Sequence, residues 1–213
     1  MEAVEKRLAK IAMTGMTAVL LAAGAWAIDA TAAGRVNEAY IRSLAAPGKA
    51  VLVVEYYDAQ KNVRARKGFA SATGFKPSAP TEIAVDTKTR LRLFGLEPCS
   101  GEMVNQKEGF AGTCSDYAEQ QLAILLKSPK VLLCRAFLTE ENRPVQDATC
   151  FGYYNYPGSL DTIDNLEEQL VSLGALRVVK KADGSPLRSD LMDAEKIGRG
   201  GFGMWADPRV RAQ

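Results

Sequence analysis

A chain of 213 residues with 47% hydrophobic and 24% charged residues has the makeup of a folded domain plus an extension, not of a disordered polymer. Its formal net charge of +2 falls short of the basic excess that marks a dedicated nucleic-acid binder. There is no histidine, which removes Ser-His-Asp and Cys-His catalysis and every histidine-ligated metal site. Acid–base chemistry is left to carboxylates, Lys, Tyr or water.

Residues 1–10 form an amino-terminal tail carrying Lys6, Arg7 and Lys10. Residues 11–28 follow without a single charge, and 18 residues are at the short end of what crosses a bilayer as a helix. Trp26 stands near the far end, where interfacial aromatics sit. Two readings fit. One is a cleaved signal peptide with Ala30-Thr31-Ala32 as its processing site. The other is a retained anchor, favoured because the apolar run exceeds a usual signal core. The basic residues before the run put the amino terminus on the cytosolic or matrix side, although Arg35, Arg42 and Lys49 beyond it oppose that bias. Glu2 and Glu5 are foreign to an acid-poor mitochondrial presequence, though not to an uncleaved mitochondrial protein.

Residues 29–48 predict a stalk helix and linker, with Val36, Ala39, Tyr40 and Leu44 on one face and Ala46-Pro47-Gly48 as the stop. The main domain spans 49–206, and 207–213 form a tail. Residues 50–57 read as a buried strand, 58–62 as a turn, 63–72 as a second strand and 74–80 as a loop. In 89–97, Leu91, Leu93 and Leu96 alternate with Arg90 and Arg92 before Gly95 loosens the strand and Glu97-Pro98 ends it. A long loop covers 98–112. Thr113 and Asp116 have capping-box spacing and open a helix to about residue 126, with Ala118, Leu122, Leu125 and Leu126 facing inward.

Residues 130–138 and 148–154 predict a hairpin about the turn at 140–144. Asp161 or Thr162 caps a second helix carrying Ile163, Leu166, Leu170 and Leu173, closed by Gly174. Residues 176–179 are strand-like, and 187–197 predict a third helix that the glycines of 198–203 break. The four cysteines make no C-x-x-C pair, which argues against zinc. Symmetric folding of the hairpin about Asn142 sets Cys134 opposite Cys150, while Cys99 and Cys114 flank the long loop. Two bridges fit an oxidising compartment, and four buried thiols fit the spacing equally well.

The run T-R-L-R-L-F-G-L-E-P-C-S-G-E at 89–102 resembles the signature strand of the staphylococcal-nuclease-like (thermonuclease) family, R-L-x-G-I-D-x-P-E. Two later pieces resemble it as well: E-Q-L-V-S-L-G-A-L-R-V at 168–178, and the closing A-E…G-M-W-A-D-P ending at Pro208. The resemblance covers about 49–205. It implies an α+β fold, a nuclease-like five-stranded OB β-barrel with three helices, here preceded by one transmembrane helix. In that family the signature Arg binds phosphate, the Asp ligates calcium and the Glu positions the attacking water. Arg92 and Glu97 hold the first two places; the third falls at Ser100 or Gly101, with Glu102 just beyond. Arg143, in Asn142-Arg143-Pro144, stands at the place of the second phosphate-binding arginine.

The family's first acid comes from a D-G-D-T-like turn. Here the acids between 72 and 91 are Glu82 and Asp86, in neither that pattern nor that spacing, and Asp58-Ala59-Gln60 puts Gln at the second acid's place. Glu97 is left as one weak metal ligand, where calcium wants several carboxylates and phosphoryl transfer wants the cation's charge. Arg92 is then a rim arginine paired to Glu97, and Arg143 a solvated turn residue.

The implied protein is a single-pass, catalytically silent accessory subunit of a membrane complex, in the class of a mitochondrial respiratory or ATP synthase assembly. It needs no cofactor, contacts the lipid bilayer through 11–28 and other subunits through its domain, and leaves nucleic acid an unlikely partner. The expected setting is the mitochondrial inner membrane with the domain in the intermembrane space, or a bacterial inner membrane with the domain in the periplasm. One alternative is a translocated calcium-dependent phosphodiesterase using Arg92, Glu97 and Arg143. Another is a non-catalytic OB-type binder of nucleic acid or protein, with Tyr153, Tyr154 and Tyr156 on its face; packing at the strand end is the plainer role for these tyrosines.

Overall fold

The computed structural model describes residues 36–156, 158 and 160–212. The anchor expected over 11–28 and the Ala30-Thr31-Ala32 site lie outside this range. Among the described residues, no helix is long and apolar enough to cross a membrane.

The first element among the described residues is α1 (Glu38–Ser43), capped by Asn37, whose side chain accepts the Tyr40 N–H. It is shorter than the expected stalk and belongs to the domain. Ile41 is fully buried and packs with Val53, Val131, Leu133, Phe151 and Tyr153. Those partners come from β1 (Ala50–Tyr57) and two later strands. The same β1 sends Leu52, Val54 and Tyr56 into the main core. Burial on both faces explains why 50–57 is almost continuously apolar rather than alternating.

β2 (Val63–Ser71) returns antiparallel to β1. Next comes a meander of β3 (Lys76–Ala79), β4 (Glu82–Ala84) and β5 (Arg90–Leu93). The segment 74–80, expected to be a loop, therefore contains a strand. Pro77 is tolerated because β3 is the last strand of the sheet. β6 (Leu96–Glu97) leaves the main sheet, and β7 (Glu102–Asn105) with β8 (Phe110–Thr113) forms a hairpin inside the expected long loop. Thr113 caps α2 (Cys114–Leu126) as its spacing predicts, accepting the Asp116 N–H at 3.0 Å.

β9 (Val131–Phe137) and β10 (Val145–Tyr154) form the predicted hairpin, with Cys134 directly opposite Cys150. The expected helix start at Asp161 or Thr162 is displaced. β-Branched Thr162 and Ile163 lie in β11 (Thr162–Asn165), which pairs with β10, and Asn165 caps α3 (Leu166–Ser172) by accepting the Glu168 N–H. β12 (Arg177–Val178) pairs with β6. The helix expected over 187–197 divides. Leu187 and Arg188 remain outside it, residues Ser189–Leu191 form a 3-10 turn, and α4 (Met192–Gly198) follows. α5 (Pro208–Arg211) closes the chain.

The protein is α+β. Its large sheet is mixed and eight-stranded, in the order β2-β1-β9-β10-β5-β4-β3, with β11 attached to β10. β1/β9 and β10/β5 are the parallel pairs. Among the described residues the hydrogen-bonded path ends at β2 and β3 without closing on itself. The main core lies between this sheet and the helices α2, α3 and α4, with Trp205 almost fully buried at the helical side.

Candidate functional site

Register builds the site. Antiparallel β4/β5 sets Glu82 beside Arg92, and parallel β5/β10 sets Asp147 on the other side of the same arginine. Arg92 Nε and Nη2 donate to the two carboxylate oxygens of Asp147 at 2.7 and 3.0 Å. This fork is the strong form of an arginine–carboxylate contact, and the Asp147 bond raises the Arg92 pKa above its ordinary value. On the Glu82 side, Arg90 Nη1 lies 3.3 Å from the carboxylate.

The turn between β9 and β10 supplies the rest. Arg143 Nη1 is 3.0 Å from Glu140 Oε1, while Glu140 Oε2 accepts the Asp147 N–H at 3.2 Å. Arg143 and Arg92 are thus joined through Glu140 and Asp147. Lys67 of β2 reaches the same turn, 3.3 Å from a Glu141 carboxylate oxygen. Buried Gln146 fixes the turn from below, donating to the carbonyls of Glu141 and Arg143 and accepting from the Tyr56 hydroxyl at 2.8 Å.

Glu97 is not part of this cluster. Gly95, at φ +72, turns the chain after β5, and Arg188 Nη1 donates to the Phe94 carbonyl there. Glu97 then pairs across to Arg177 of β12, 3.0 Å away. The expected Arg92–Glu97 pair is corrected to Arg92–Asp147 and Glu97–Arg177. Glu102 begins β7 and is exposed; Gly101 uses its carbonyl to accept the Cys114 N–H. Among the described residues, no three His, Cys, Asp or Glu side chains group as a metal site.

The cysteines form two disulfides, Cys99–Cys114 and Cys134–Cys150, with Cα–Cα distances of 5.3 and 4.1 Å. The first ties the segment between β6 and β7 to the first residue of α2, closing the base of the β7/β8 hairpin. Tyr153 and Tyr154 are buried, their hydroxyls donating to Asp161 and to the Leu125 carbonyl. Burial pushes the Tyr154 pKa up. Tyr156 is half-exposed and stacks on Tyr154 with ring centroids 6.2 Å apart.

A second group of charges escaped the sequence reading. Glu167 is fully buried and accepts the Cys150 N–H. Glu195 accepts the Val178 N–H at 2.9 Å, and Asp207 accepts the Val104 N–H at 2.8 Å. Each carboxylate thereby satisfies a strand N–H that has no strand beside it, on β10, β12 and β7 respectively. Glu195 and Asp207 belong to the closing A-E…W-A-D-P piece, so the pattern was present as a motif without its physical reason. Asp147 carried no comparable signal, because only strand register brings it to Arg92.

No protein-family model matches this chain, and no curated protein matches it.

Proposed function

We propose that this chain is a membrane-anchored, nuclease-like domain that does not cleave phosphodiesters and serves as an accessory subunit of a membrane protein complex. One observation carries the reading. Each residue that the family resemblance would give to phosphate or calcium is engaged within the protein: Arg92 by Asp147, Arg143 by Glu140 and Glu97 by Arg177. Recruiting Arg92 to a phosphate would uncouple a bidentate pair and leave Asp147 beside the anion, an electrostatic penalty in place of stabilisation.

The fold assignment is supported by succession. The resemblance takes 50–57, 63–72 and the signature strand as the three strands before the helix. With β3 formed inside the expected loop and β4 just after it, the meander β3–β4–β5, then α2 after the short strands β6–β8, then the pair β9–β10 also reads as three strands, helix, two strands. In this reading β3, β4, β5, β10 and β9 are the five strands of the OB-type barrel, and β1–β2 with α1 is an added unit along the β9 edge. Two disulfides support an oxidising compartment, the intermembrane space or the periplasm, reached by translocation behind the 11–28 anchor.

Native-gel mass spectrometry of detergent-solubilised membranes is the direct test. Migration of this chain with a larger complex is the expected result; migration alone would overturn the accessory reading. A second reading, a calcium-dependent phosphodiesterase, draws on the position of Glu82 beside Arg92. Calcium-dependent plasmid cleavage, abolished by EGTA and by Arg92→Ala, would establish it in place of the first.

A further inference from the structure

The open path of the large sheet has two ends, and they differ. At one end β3 is short, contains Pro77 and lies beside α2, so that edge is guarded. At the other end β2 pairs, among the described residues, with β1 alone. Its regular part is Ala65–Ser71, past the irregularity opposite Tyr56 and Tyr57.

Register decides which groups this edge presents. Val51 donates its N–H to the Lys130 carbonyl on the β9 side, so Val51 and Ala70 are a non-hydrogen-bonded pair of β1/β2. Alternation along the antiparallel pair then turns the backbone N–H and C=O of Arg66, Gly68 and Ala70 outward, away from β1. The side chains leave that edge open. Arg66 donates to Glu55 of β1 at 3.0 Å and lies over the Tyr40 ring, while Lys67 reaches Glu141 and the Tyr56 ring. Both cations that could defend a free edge therefore lean inward over the sheet. A Cβ built on Gly68 meets nothing within 4 Å, and glycine inside a strand marks a place where another backbone can come close.

We propose that β2 is a dimer interface, where the same strand of a second copy pairs antiparallel across a two-fold axis at Gly68. Self-complementarity selects this occupant. The symmetric register that uses all of Ala65–Ser71 sets Gly68 opposite the second copy's Gly68 and Arg66 opposite its Ala70. Outward-facing N–H and C=O groups thereby meet their own kind in hydrogen-bonded pairs. Between them Lys67 falls opposite the second copy's Phe69, and Ala65 opposite its Ser71. No like charges face one another, and each long side chain meets a small or apolar one. Glu55 and Glu141 neutralise Arg66 and Lys67 within each copy, so the approach of two copies costs little repulsion. An isologous pair of this kind closes on itself and stops at two chains. The inference goes beyond the accessory-subunit reading and does not depend on it.

The test uses the full chain in detergent micelles. Light scattering coupled to size-exclusion chromatography is expected to give the mass of two chains per particle. Gly68→Pro removes an N–H that points away from β1, so the β1/β2 ladder keeps its bonds while the axis loses a donor from each copy. It should weaken dimerisation at least tenfold with an unchanged circular dichroism spectrum. Gly68→Cys sets two α-carbons about 5.5 Å apart across the axis, within the span of a disulfide. Mild oxidation should link that variant into dimers at least tenfold faster than Lys196→Cys on α4.

A monomeric wild-type chain overturns the proposal. So does a dimer that persists in a folded Gly68→Pro variant, the result that association through residues 11–28 would give. Equal cross-linking rates for Gly68→Cys and Lys196→Cys overturn it as well, and they decide alone if Gly68→Pro fails to fold. Co-migration with a larger complex on native gels survives any of these failures, so the two readings fall separately.

Discussion

Glu167, at the first turn of α3, reaches the backbone N–H of Cys150 with both carboxylate oxygens at 3.1 Å. Beside β10, pairing with β5 stops at Ala148 and pairing with β11 starts at Phe151, so this carboxylate fills the gap in the edge. It does so fully buried, near Arg188, which is itself held by Asp190 through a bidentate contact.

Burial pushes the Glu167 pKa up to about 7 from 4.5. Between those values the folded chain holds a proton that the unfolded chain has released, so stability falls as pH rises through this window. Below it the two states bind equally and the slope vanishes. Urea unfolding at pH 5 and pH 8 should show a loss of about 1–3 kcal/mol from this group on going to the higher pH. Glu167→Gln keeps an acceptor for Cys150 and cannot ionise, so its stability should change less between the two pH values. An equal loss in both proteins would assign the slope to other groups.

Asp207 runs in the opposite sense. Arg209 donates to it and holds its carboxyl well below the usual carboxylate range, helped by the Val104 N–H. A depressed pKa contributes stability that is complete above the ordinary carboxylate value and is lost as pH falls below it. Asp207→Ala should lower stability at pH 7 by about 0.5–1.5 kcal/mol, because it removes the acceptor of the Val104 N–H. Thermal unfolding at pH 7 and pH 3 checks both parts: the variant's deficit should shrink at the lower pH.

How much of this was legible follows a physical line. The β9/β10 hairpin, the Thr113 cap and the Cys134–Cys150 facing were readable because each depends on residues near in sequence with a strong local signal. β3 and the β7/β8 hairpin were hidden, since short strands rich in Pro, Ser and Gly look like loops until a neighbour pairs with them. The start of α3 was misplaced by one strand: Thr162 and Ile163 carry helical spacing and β propensity together, and tertiary pairing decided between them. At the site, the arginines were found by resemblance; Asp147, 55 positions from Arg92, is brought there by sheet register, whereas Glu140 lies only 3 positions before Arg143 within the turn. Register cannot be read from one strand alone.

Arg92→Ala separates the two functional readings while barely touching the fold. The pair with Asp147 is half-exposed, so its loss should cost only about 0.5–1.5 kcal/mol in chemical denaturation. The accessory reading expects no phosphodiesterase activity for the substitution to remove. A wild-type calcium-dependent activity that disappears in the variant would reverse the functional conclusion.

Reduction should be costly at both bridges. Cys99–Cys114 and Cys134–Cys150 join positions 15 and 16 residues apart, for which loop-closure entropy predicts about 3 kcal/mol each. Cys134→Ala/Cys150→Ala should lower the unfolding midpoint by several degrees without added reductant. Dithiothreitol should then lower it further, through the remaining bridge. A midpoint indifferent to reductant in the wild-type chain would show that the bridges contribute nothing.

A close approach of two backbones gives the last prediction. Gly174 ends α3 at φ +67, and a Cβ built there would sit 2.3 Å from the Phe202 carbonyl oxygen. Gly203 meets the same segment from the other side, its Cβ position 2.4 Å from the carbonyls of Leu173 and Gly174. Two glycines thus let two backbones touch, and Met204 donates its N–H to the Gly174 carbonyl at 2.9 Å to hold them there. Beside this contact Trp205 is buried with the Arg199 guanidinium 4.0 Å above its ring. Gly174→Ala adds both a left-handed-region penalty of about 1 kcal/mol and a clash with backbone that no rotamer relieves. The sum should exceed about 3 kcal/mol, enough to leave a marginal domain largely unfolded. Leu173→Ala, one residue earlier and half-exposed, should cost less than about 1 kcal/mol, and the contrast between the two in urea unfolding tests whether backbone proximity rather than helix-end composition holds this corner.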